Sequence, residues 1–464
     1  MNLEAIHMPK GVICLVNCIN AINGKTCCGK CTASTSILDT YTNPHPFVCD
    51  RGGKLGIAID IGTTTLAFNL LDIKTGELLG VYSSINSQGI FGADVISRIK
   101  SANDGHLEKL NACIVNDIYA GIKHILNGRS GRDVSLVVIA GNTTMLHLLQ
   151  NLSCDTLGVS PFTPISTGTK IVPVEKILDV PARRSDAKGG ICEANVLGNN
   201  LLDCDAIILP GISAFVGADI VAGLLCAGWP NVKGYNLLID LGTNGEMAVF
   251  SNDKIIVTSA AAGPVFEAAN ISQGVACVAG AIAEVNFLPE SYVFSFETID
   301  NSDPIGICGT GVVDICAELV RHKLVDETGF IESGDDKIYI TPSIAFTQRD
   351  IREVQLAKSA VRSGIEVLLE IAGIGYADLV HVFVAGGFGN KINIENAATL
   401  GLIPQGLKHK IISLGNASLG GCVKVLLSQK YENYAKQLAT LATEINLAEY
   451  PQFADYFMDY IGME

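Results

Sequence analysis

Two short segments, 180 residues apart, repeat one pattern: an apolar strand, an aspartate, a Gly-Thr turn and a second apolar strand. Residues 59–65 read Ile-Asp-Ile-Gly-Thr-Thr-Thr, and residues 239–245 read Ile-Asp-Leu-Gly-Thr-Asn-Gly. Each predicts a β-hairpin whose turn presents backbone N–H groups and hydroxyls, an arrangement that can wrap phosphate oxygens. One such hairpin can be an ordinary tight turn. The pair favours a duplicated α/β domain that holds phosphates between its two copies.

Within each hairpin the residue types suggest separate roles. Asp60 and Asp240 stand at the strand ends, where they can hold Mg²⁺ directly or through water, although turn-stabilising aspartates are the alternative. Glycine allows the backbone to approach an anion closely. The residues expected to hold phosphates are Gly62, Thr63, Thr64 and Thr65 in the first turn and Gly242, Thr243, Asn244 and Gly245 in the second.

Length and charge limit the classes of protein that fit. A chain of 464 residues predicts about two to three domains. The net charge of −15 argues against non-specific binding to nucleic acid or to an anionic membrane. No apolar run reaches the ~18 residues of a membrane-spanning helix, and no signal peptide is recognisable. We therefore expect a cytoplasmic protein.

The chain divides into four predicted parts. These are a cysteine-rich module and linker (residues 1–54), a first α/β domain (55–228), a second (229–430) and a C-terminal helix and tail (431–464). An amphipathic helix is expected over residues 107–126, and a Thr-x-x-Asp capping box starts a helix at residue 347. Helices following Asp219 and Ala417 are expected to cross between the two domains.

Six of the fifteen cysteines fall within the first 49 residues, which in a reducing compartment favours metal binding over disulfides. Cys28 and Cys31 form a Cys-x-x-Cys pair that can reach one iron or zinc ion. Cys49 can join them from another loop, and Cys18, Cys14 or Cys27 would complete the set. The spacing leaves an iron–sulfur cluster, a zinc site and a metal-free module open.

The order of the motifs resembles the acetate and sugar kinase, Hsp70 and actin superfamily, which has two RNase H-like domains with ATP in the cleft between them. The resemblance implies that Asp219 orients a water for hydrolysis, although an ordinary first-turn aspartate is an equal alternative. It also implies nucleotide contacts from two glycine-rich turns. Their residues are Gly309, Thr310 and Gly311 in one turn and Gly386, Gly387 and Asn390 in the other.

A closer resemblance links the chain to the ATP-dependent reductive activators of corrinoid proteins. The motifs that carry it are residues 58–65, 91–98 (Phe-Gly-Ala-Asp-Val-Ile-Ser-Arg), 141–148, 240–246, 261–264, 347–352 with Ala357 and Lys358, and 385–390. The family implies ATP and Mg²⁺ as cofactors and one-electron transfer that returns Co(II) to Co(I). It further implies a corrinoid protein of a methyl-transfer system as partner, a low-potential electron donor and a possible homodimer.

The N-terminal module departs from the family pattern. Cys28 and Cys31 match the family's [2Fe–2S] motif, but Ile22 stands where its first cysteine belongs, and no middle domain is expected. The ligand set is therefore taken as Cys18, Cys28, Cys31 and Cys49, with the cluster type and even its presence open. A small-molecule kinase and a cluster-free ATPase switch of the same fold are the alternative functions.

Overall fold

The computed structural model describes residues 49–178, 201–386 and 392–463, which form two α/β domains. The strands of the first domain are β1 (Leu55–Ile61), β2 (Thr65–Asp72), β3 (Leu78–Ile85), β4 (Val134–Gly141), β5 (Lys170–Pro173) and β6 (Asp205–Ile208). Its helices are α1 (Val95–Ser101), α2 (Leu107–Leu126), α3 (Thr143–Leu149), α4 (Val174–Leu178) and α5 (Ala218–Cys226).

The second domain follows the same plan with more insertions. Its strands are β7 (Tyr235–Leu241), β8 (Gly245–Phe250), β9 (Ile255–Ala260), β10 (Ala281–Leu288), β11 (Val293–Thr298), β12 (Gly306–Ile307), β13 (Lys337–Tyr339), β14 (Ala345–Thr347), β15 (Leu379–Ala385), β16 (Ile411–Gly415) and β17 (Ala442–Glu444). The helices are α6 (Gly309–Arg321), α7 (Gln348–Ala372), α8 (Ile394–Thr399), α9 (Ala417–Leu427), α10 (Gln429–Leu441) and α11 (Phe453–Asp459).

The two main sheets share a five-stranded plan, in which β3-β2-β1-β4-β6 of the first correspond to β9-β8-β7-β15-β16 of the second. The first has the strand order β3-β2-β1-β4-β6-β5, and the second has the order β16-β15-β7-β8-β9-β17. In each sheet the hairpin is antiparallel, and a parallel strand lies beside its first strand. This register places Asp60 opposite Ala140 and Asp240 opposite Ala385. The expected duplicated, RNase H-like architecture is confirmed, and the two aspartates occupy equivalent positions.

The helix predicted over residues 107–126 forms with those bounds as α2. Its apolar residues Leu110, Ile114 and Ile118 are buried, and it packs against β2 and β3. Helix α7 begins with the expected capping box, in which the Thr347 hydroxyl accepts from Asp350 N and the Asp350 carboxylate accepts from Thr347 N. In both helices, sequence periodicity and capping chemistry agree with the packing.

Helices α5 and α9 cross between the two domains and pack closely against each other. Helix α9 follows the edge strand β16 of the second domain but packs on β1 and β4 of the first. Helix α5 leaves the first domain and contacts β7 and β8 of the second. The predicted crossing is therefore confirmed, and the contact between these two helices links the domains.

The C-terminal tail is more integrated than expected. Strand β17 pairs in parallel with β9 and so extends the second sheet. Helix α11 packs on α7, where the Lys358 ammonium donates to Tyr460 O at 2.8 Å. Sequence analysis did not anticipate this use of Lys358, which is 3% exposed. In the described part of the chain, no helix combines the length and apolar character needed to cross a bilayer.

Candidate functional site

The two hairpin turns form the ends of β1 and β7 and are closed by short backbone hydrogen bonds. Gly62 N donates to Thr65 O at 3.0 Å, and Gly242 N donates to Asn244 O at 3.0 Å. A Cβ atom on Gly62 would stand 2.7 Å from Thr65 O, closer than any real side chain approaches. Glycine is therefore required for the first turn to close, as expected of a turn whose backbone approaches an anion.

Five carboxylates gather around these turns. Asp60 and Asp240 are the penultimate residues of β1 and β7, and Asp219 lies in the first turn of α5. Glu246 on β8 and Glu267 complete the group. The Glu267 carboxylate accepts from the Thr64 hydroxyl at 2.8 Å and lies 3.4 Å from the Thr243 hydroxyl, so it contacts both turns. The structure thus brings together the three aspartates named from the sequence and adds two glutamates.

Asp60 is held from the start of α9. The Ser418 hydroxyl donates to its Oδ1 at 2.6 Å, and the Asn416 amide donates to its Oδ2 at 2.8 Å. A carboxylate of the first domain is thus held by two residues of the second domain that come directly after strand β16. Neither Asn416 nor Ser418 was expected at the site, because the residues lie more than 350 positions from Asp60.

Burial and mutual repulsion disfavour ionisation of the acidic group. Burial, reinforced by the charges of Asp219, Asp60 and Glu267, raises the pKa of Asp240 to about 8. Burial also raises the pKa of Asp219 to about 7, against the opposing effect of its bond from Ile220 N and with the help of Asp60. The pKa values of Glu246 and Glu267 are raised too, with burial as the main cause.

Such a cluster of carboxylates suits a divalent cation. Among the described residues, no three His, Cys, Asp or Glu side chains form a complete set of metal ligands. Mg²⁺ does not require one, because it commonly keeps several waters and binds one or two carboxylates together with substrate phosphates. The donor types at the strand ends therefore fit Mg²⁺ that is completed by water and phosphate oxygens.

The acidic cluster predicts how the stability of the nucleotide-free protein depends on pH. Folding takes up protons because the folded pKa values of Asp219 and Asp240, about 7 and about 8, exceed those of an unfolded aspartate. This stabilising contribution is present at low pH and is lost as pH rises through these values. We expect the midpoint temperature of unfolding, measured in EDTA, to fall as the pH is raised from about 5 to about 8, and to level off above the folded pKa values.

Addition of Mg²⁺ and ATP should reduce that fall, because a bound cation favours the ionised carboxylates. Thermal unfolding followed by circular dichroism, in matched buffers with and without Mg²⁺-ATP, measures both slopes. A midpoint in EDTA that rises across this range would contradict the acidic cluster as described.

The two glycine-rich turns lie in different positions relative to the acidic cluster. Gly386 has φ +96°, and a Cβ there would lie 2.3 Å from Leu241 O and 2.8 Å from Asp240 Oδ1. It therefore directly adjoins the Asp240 site. By contrast, the Thr310 hydroxyl donates to Ala283 O at 2.8 Å, and Gly311 packs closely against Ile282 O. Gly309 begins α6, and the described contacts of Thr310 and Gly311 place these two residues at the junction of α6 and β10, without a described bond to the acidic cluster.

Several predicted site residues, namely Cys18, Cys28, Cys31, Gly387 and Asn390, lie outside the described residues. Cys49 is described and half-buried. Burial, then the charges of Asp50 and Asp72, raises the pKa of its thiol. Its environment alone therefore does not favour the thiolate.

Glu246 and Glu267 were missed by sequence analysis, although a signal existed for each. Glu246 directly follows the second hairpin turn, and Glu267 follows the Ala-Ala-Gly-Pro segment that contributed to the family resemblance. His147 is a core residue, because its side chain is fully buried and its Nδ1 lies 2.8 Å from Thr143 O.

Two RNase H-like domains with paired Asp-x-Gly-Thr hairpins define a protein of the acetate and sugar kinase, Hsp70 and actin class. Family models make the assignment specific: the RACo middle region matches residues 55–231, and the C-terminal domain of RACo, the ASKHA domain, matches residues 234–463. The chain belongs to the RACo family. The expectation that it lacks a middle region is therefore wrong, since the match falls on the first α/β domain.

Named relatives agree with this assignment. The corrinoid activation enzyme RamQ of Eubacterium limosum is 34% identical over 87% of this chain and 69% of its own length. A [Co(II) methylated amine-specific corrinoid protein] reductase of Methanosarcina barkeri is 28% identical over 81% of this chain and 70% of its own. A solved reductive activator for corrinoid, iron-sulfur protein superposes with a TM-score of 0.78 at 30% identity, covering 89% of this chain and 66% of that one.

Proposed function

We propose that the protein is an ATP-dependent reductive activator that returns the Co(II) corrinoid of a partner protein to Co(I). The observation that carries the proposal is the acidic cluster between two phosphate-type hairpins, in a chain of the RACo family. The partner is a corrinoid protein, the class of protein named for both curated relatives. The sequence similarity supports a partner from a methyl-transfer system.

ATP is needed because reduction of Co(II) to Co(I) is unfavourable for ordinary donors. A nucleotide that binds two conformations of the cleft with different affinities can drive the complex into a state that would otherwise be rare. The two domains meet the cleft from opposite sides, and Glu267 contacts the turns of both. A change at the phosphates would therefore alter contacts that join the domains.

The roles proposed within the cleft follow from the positions of the residues. Asp60 and Asp240 hold Mg²⁺, and the turns at Gly62–Thr65 and Gly242–Gly245 contact phosphates. Asp219 orients the water for hydrolysis, for which its raised pKa, about 7, suits a group that accepts a proton. Gly386, Gly387 and Asn390 contact the nucleoside. Gly309, Thr310 and Gly311 are the least supported members of this set, because the described bonds of Thr310 and Gly311 are structural.

An iron–sulfur cluster, proposed as [2Fe–2S], would supply the single electron. We assign its ligands to Cys18, Cys28, Cys31 and Cys49, three of which lie outside the described residues. All nine described cysteines are outside disulfides, which supports a reducing, cytoplasmic location. A low-potential electron donor would reload the cluster.

Anaerobic purification provides the test. Iron and acid-labile sulfide are counted, the EPR spectrum is recorded before and after dithionite, and the protein is then mixed with Co(II) corrinoid protein. We expect a reducible cluster signal and Co(I) formation that requires Mg²⁺-ATP. The double variant Cys28→Ser/Cys31→Ser should lose the signal and Co(I) formation while it retains ATP binding.

The alternative functions give different results. A small-molecule kinase would be colourless and would release ADP in response to a sugar or acid substrate. A cluster-free ATPase switch would bind and hydrolyse ATP without any reducible signal. Folded, ATP-binding protein that contains no iron would overturn the one-electron mechanism.

A further inference from the structure

The first hairpin turn is braced from behind by two buried side chains. The Asn86 side-chain amide donates to Gly62 O at 2.9 Å, and its backbone N donates to Thr64 O at 2.9 Å. The Arg98 guanidinium donates to Thr63 O at 2.6 Å. Three successive carbonyls of the turn are thus occupied by donors from two residues of one neighbouring segment.

This bracing fixes the direction of the next three N–H groups. In a trans peptide the C=O of one residue and the N–H of the next point in opposite directions. The N–H groups of Thr63, Thr64 and Thr65 therefore point away from Asn86 and Arg98. Within the described residues, Thr63 N and Thr64 N donate to no protein acceptor. Two amides in a tight turn are left oriented and available, as an anion site requires.

Arg98 is itself held rigidly. Its Nε donates to Gly92 O at 2.9 Å, and its Nη1 lies 3.3 Å from Gln88 Oε1. The side chain is 1% exposed, and no carboxylate among the described residues pairs with it at salt-bridge distance. Asp94 and Asp117 lie near enough to favour its charge electrostatically. Where its Nη2 donates to Thr63 O, the guanidinium polarises that C=O and, through the same peptide plane, the N–H of Thr64.

The residues that the structure describes provide no such brace for the second turn. Among the described residues, no side chain donates to Gly242 O or Thr243 O, and the turn is closed by its own bond from Gly242 N to Asn244 O. The second turn contacts Glu267 through the Thr243 hydroxyl. The two hairpins share one sequence pattern, but among the described residues only the first turn has its carbonyls bonded by neighbouring side chains.

We infer that Asn86 and Arg98 are positioning residues that hold the turn at Gly62–Thr65 in its phosphate-binding conformation. The inference rests on the proposed function, because it supposes that this turn contacts the phosphates of ATP. It assigns a role to the Phe91–Arg98 motif, which the cleft itself leaves unexplained. Within this motif, the Gly92 carbonyl accepts from Arg98 Nε and so orients the guanidinium. The Asp94–Ser97 capping box begins α1, the helix that contains Arg98.

The test compares Arg98→Lys and Asn86→Asp with the wild-type protein. Lysine keeps the charge but cannot bond Thr63 O and Gly92 O as a fork, and aspartate places an acceptor against Gly62 O. Arg362→Lys is the control, since Arg362 is a half-buried arginine of α7 that pairs with Glu366 and lies over the Tyr460 ring. Calorimetry gives the Kd values for Mg²⁺-ATP and for adenosine. Hydrogen exchange reports the peptide that contains residues 62–65.

Both variants should weaken Mg²⁺-ATP binding about tenfold, the size of a charge-assisted hydrogen bond, while the Kd for adenosine stays within about twofold. Mg²⁺-ATP should slow exchange at residues 62–65 in the wild type and in Arg362→Lys but less in the two variants.

Normal Mg²⁺-ATP affinity in both folded variants would overturn the inference, as would equal losses of affinity for ATP and for adenosine. Asn86→Asp decides the matter if Arg98→Lys does not fold. Wild-type protein that fails to bind Mg²⁺-ATP would instead overturn the proposed function, and the inference with it.

Discussion

Asp240→Asn should reduce Mg²⁺-dependent ATP hydrolysis by about a hundredfold or more, equivalent to about 3 kcal/mol of transition-state stabilisation. The asparagine keeps the shape of the side chain but removes the negative charge that would hold the cation at the end of β7. The same substitution should raise the unfolding midpoint of the nucleotide-free protein at pH 8.5 or so, because it removes a carboxylate that its neighbours and burial disfavour when ionised. Activity and stability therefore change in opposite directions.

Asp253→Asn is the matched control for this experiment. Asp253 is an exposed residue in the turn between β8 and β9 of the same domain, so its neutralisation should leave both quantities near the wild-type values. Steady-state ATPase assays and thermal unfolding at pH 6 and pH 8.5 measure the two effects. Asp240→Asn protein that hydrolyses ATP normally would remove Asp240 from the metal site. An Asp240→Asn protein that is less stable than the wild type at pH 8.5 would contradict the electrostatic description of the cluster.

The sequence predicted the parts of the site that are local. Asp60, Asp240 and the two turns could be identified because each hairpin contains its own strand, turn and aspartate within about a dozen residues. Their repetition also predicted the duplicated fold. The bounds of α2 and the start of α7 followed from periodicity and capping, which are likewise local properties.

The remaining contacts depend on tertiary structure. Asn416 and Ser418 reach Asp60 because α9 crosses from one domain to the other. The spacing of these residues in the sequence does not predict that contact. Likewise, the burial of Lys358 depends on the C-terminal residues that fold back over α7. Glu267 could be suspected from its neighbours, but its bond to Thr64 joins residues 203 positions apart.

At the crossing of α5 and α9, a glycine lets the two helix backbones approach closely. A Cβ on Gly421 of α9 would lie 2.1 Å from Ala222 O and 2.5 Å from Ala222 Cα on α5. Both obstacles are backbone atoms of a buried helix, so they cannot rotate aside. By contrast, a Cβ on Gly223 of α5 would meet the end of the Leu238 side chain at 3.1 Å, so a side chain rather than backbone would have to shift, and by only a few tenths of an ångström.

Gly421→Ala should therefore lower the free energy of unfolding by about 3 kcal/mol, in the range of overpacked cores, whereas Gly223→Ala should change it by less than about 1 kcal/mol. Because alanine has a higher helix propensity than glycine in both helices, the difference between the two unfolding free energies reports the contact between the helices. Urea unfolding measures both values. Equal, small effects would mean that the two helices separate easily, and the domains would then not be coupled through this crossing. A large loss in Gly421→Ala alone would support a rigid crossing, about which the cleft can change its angle as a unit when nucleotide binds.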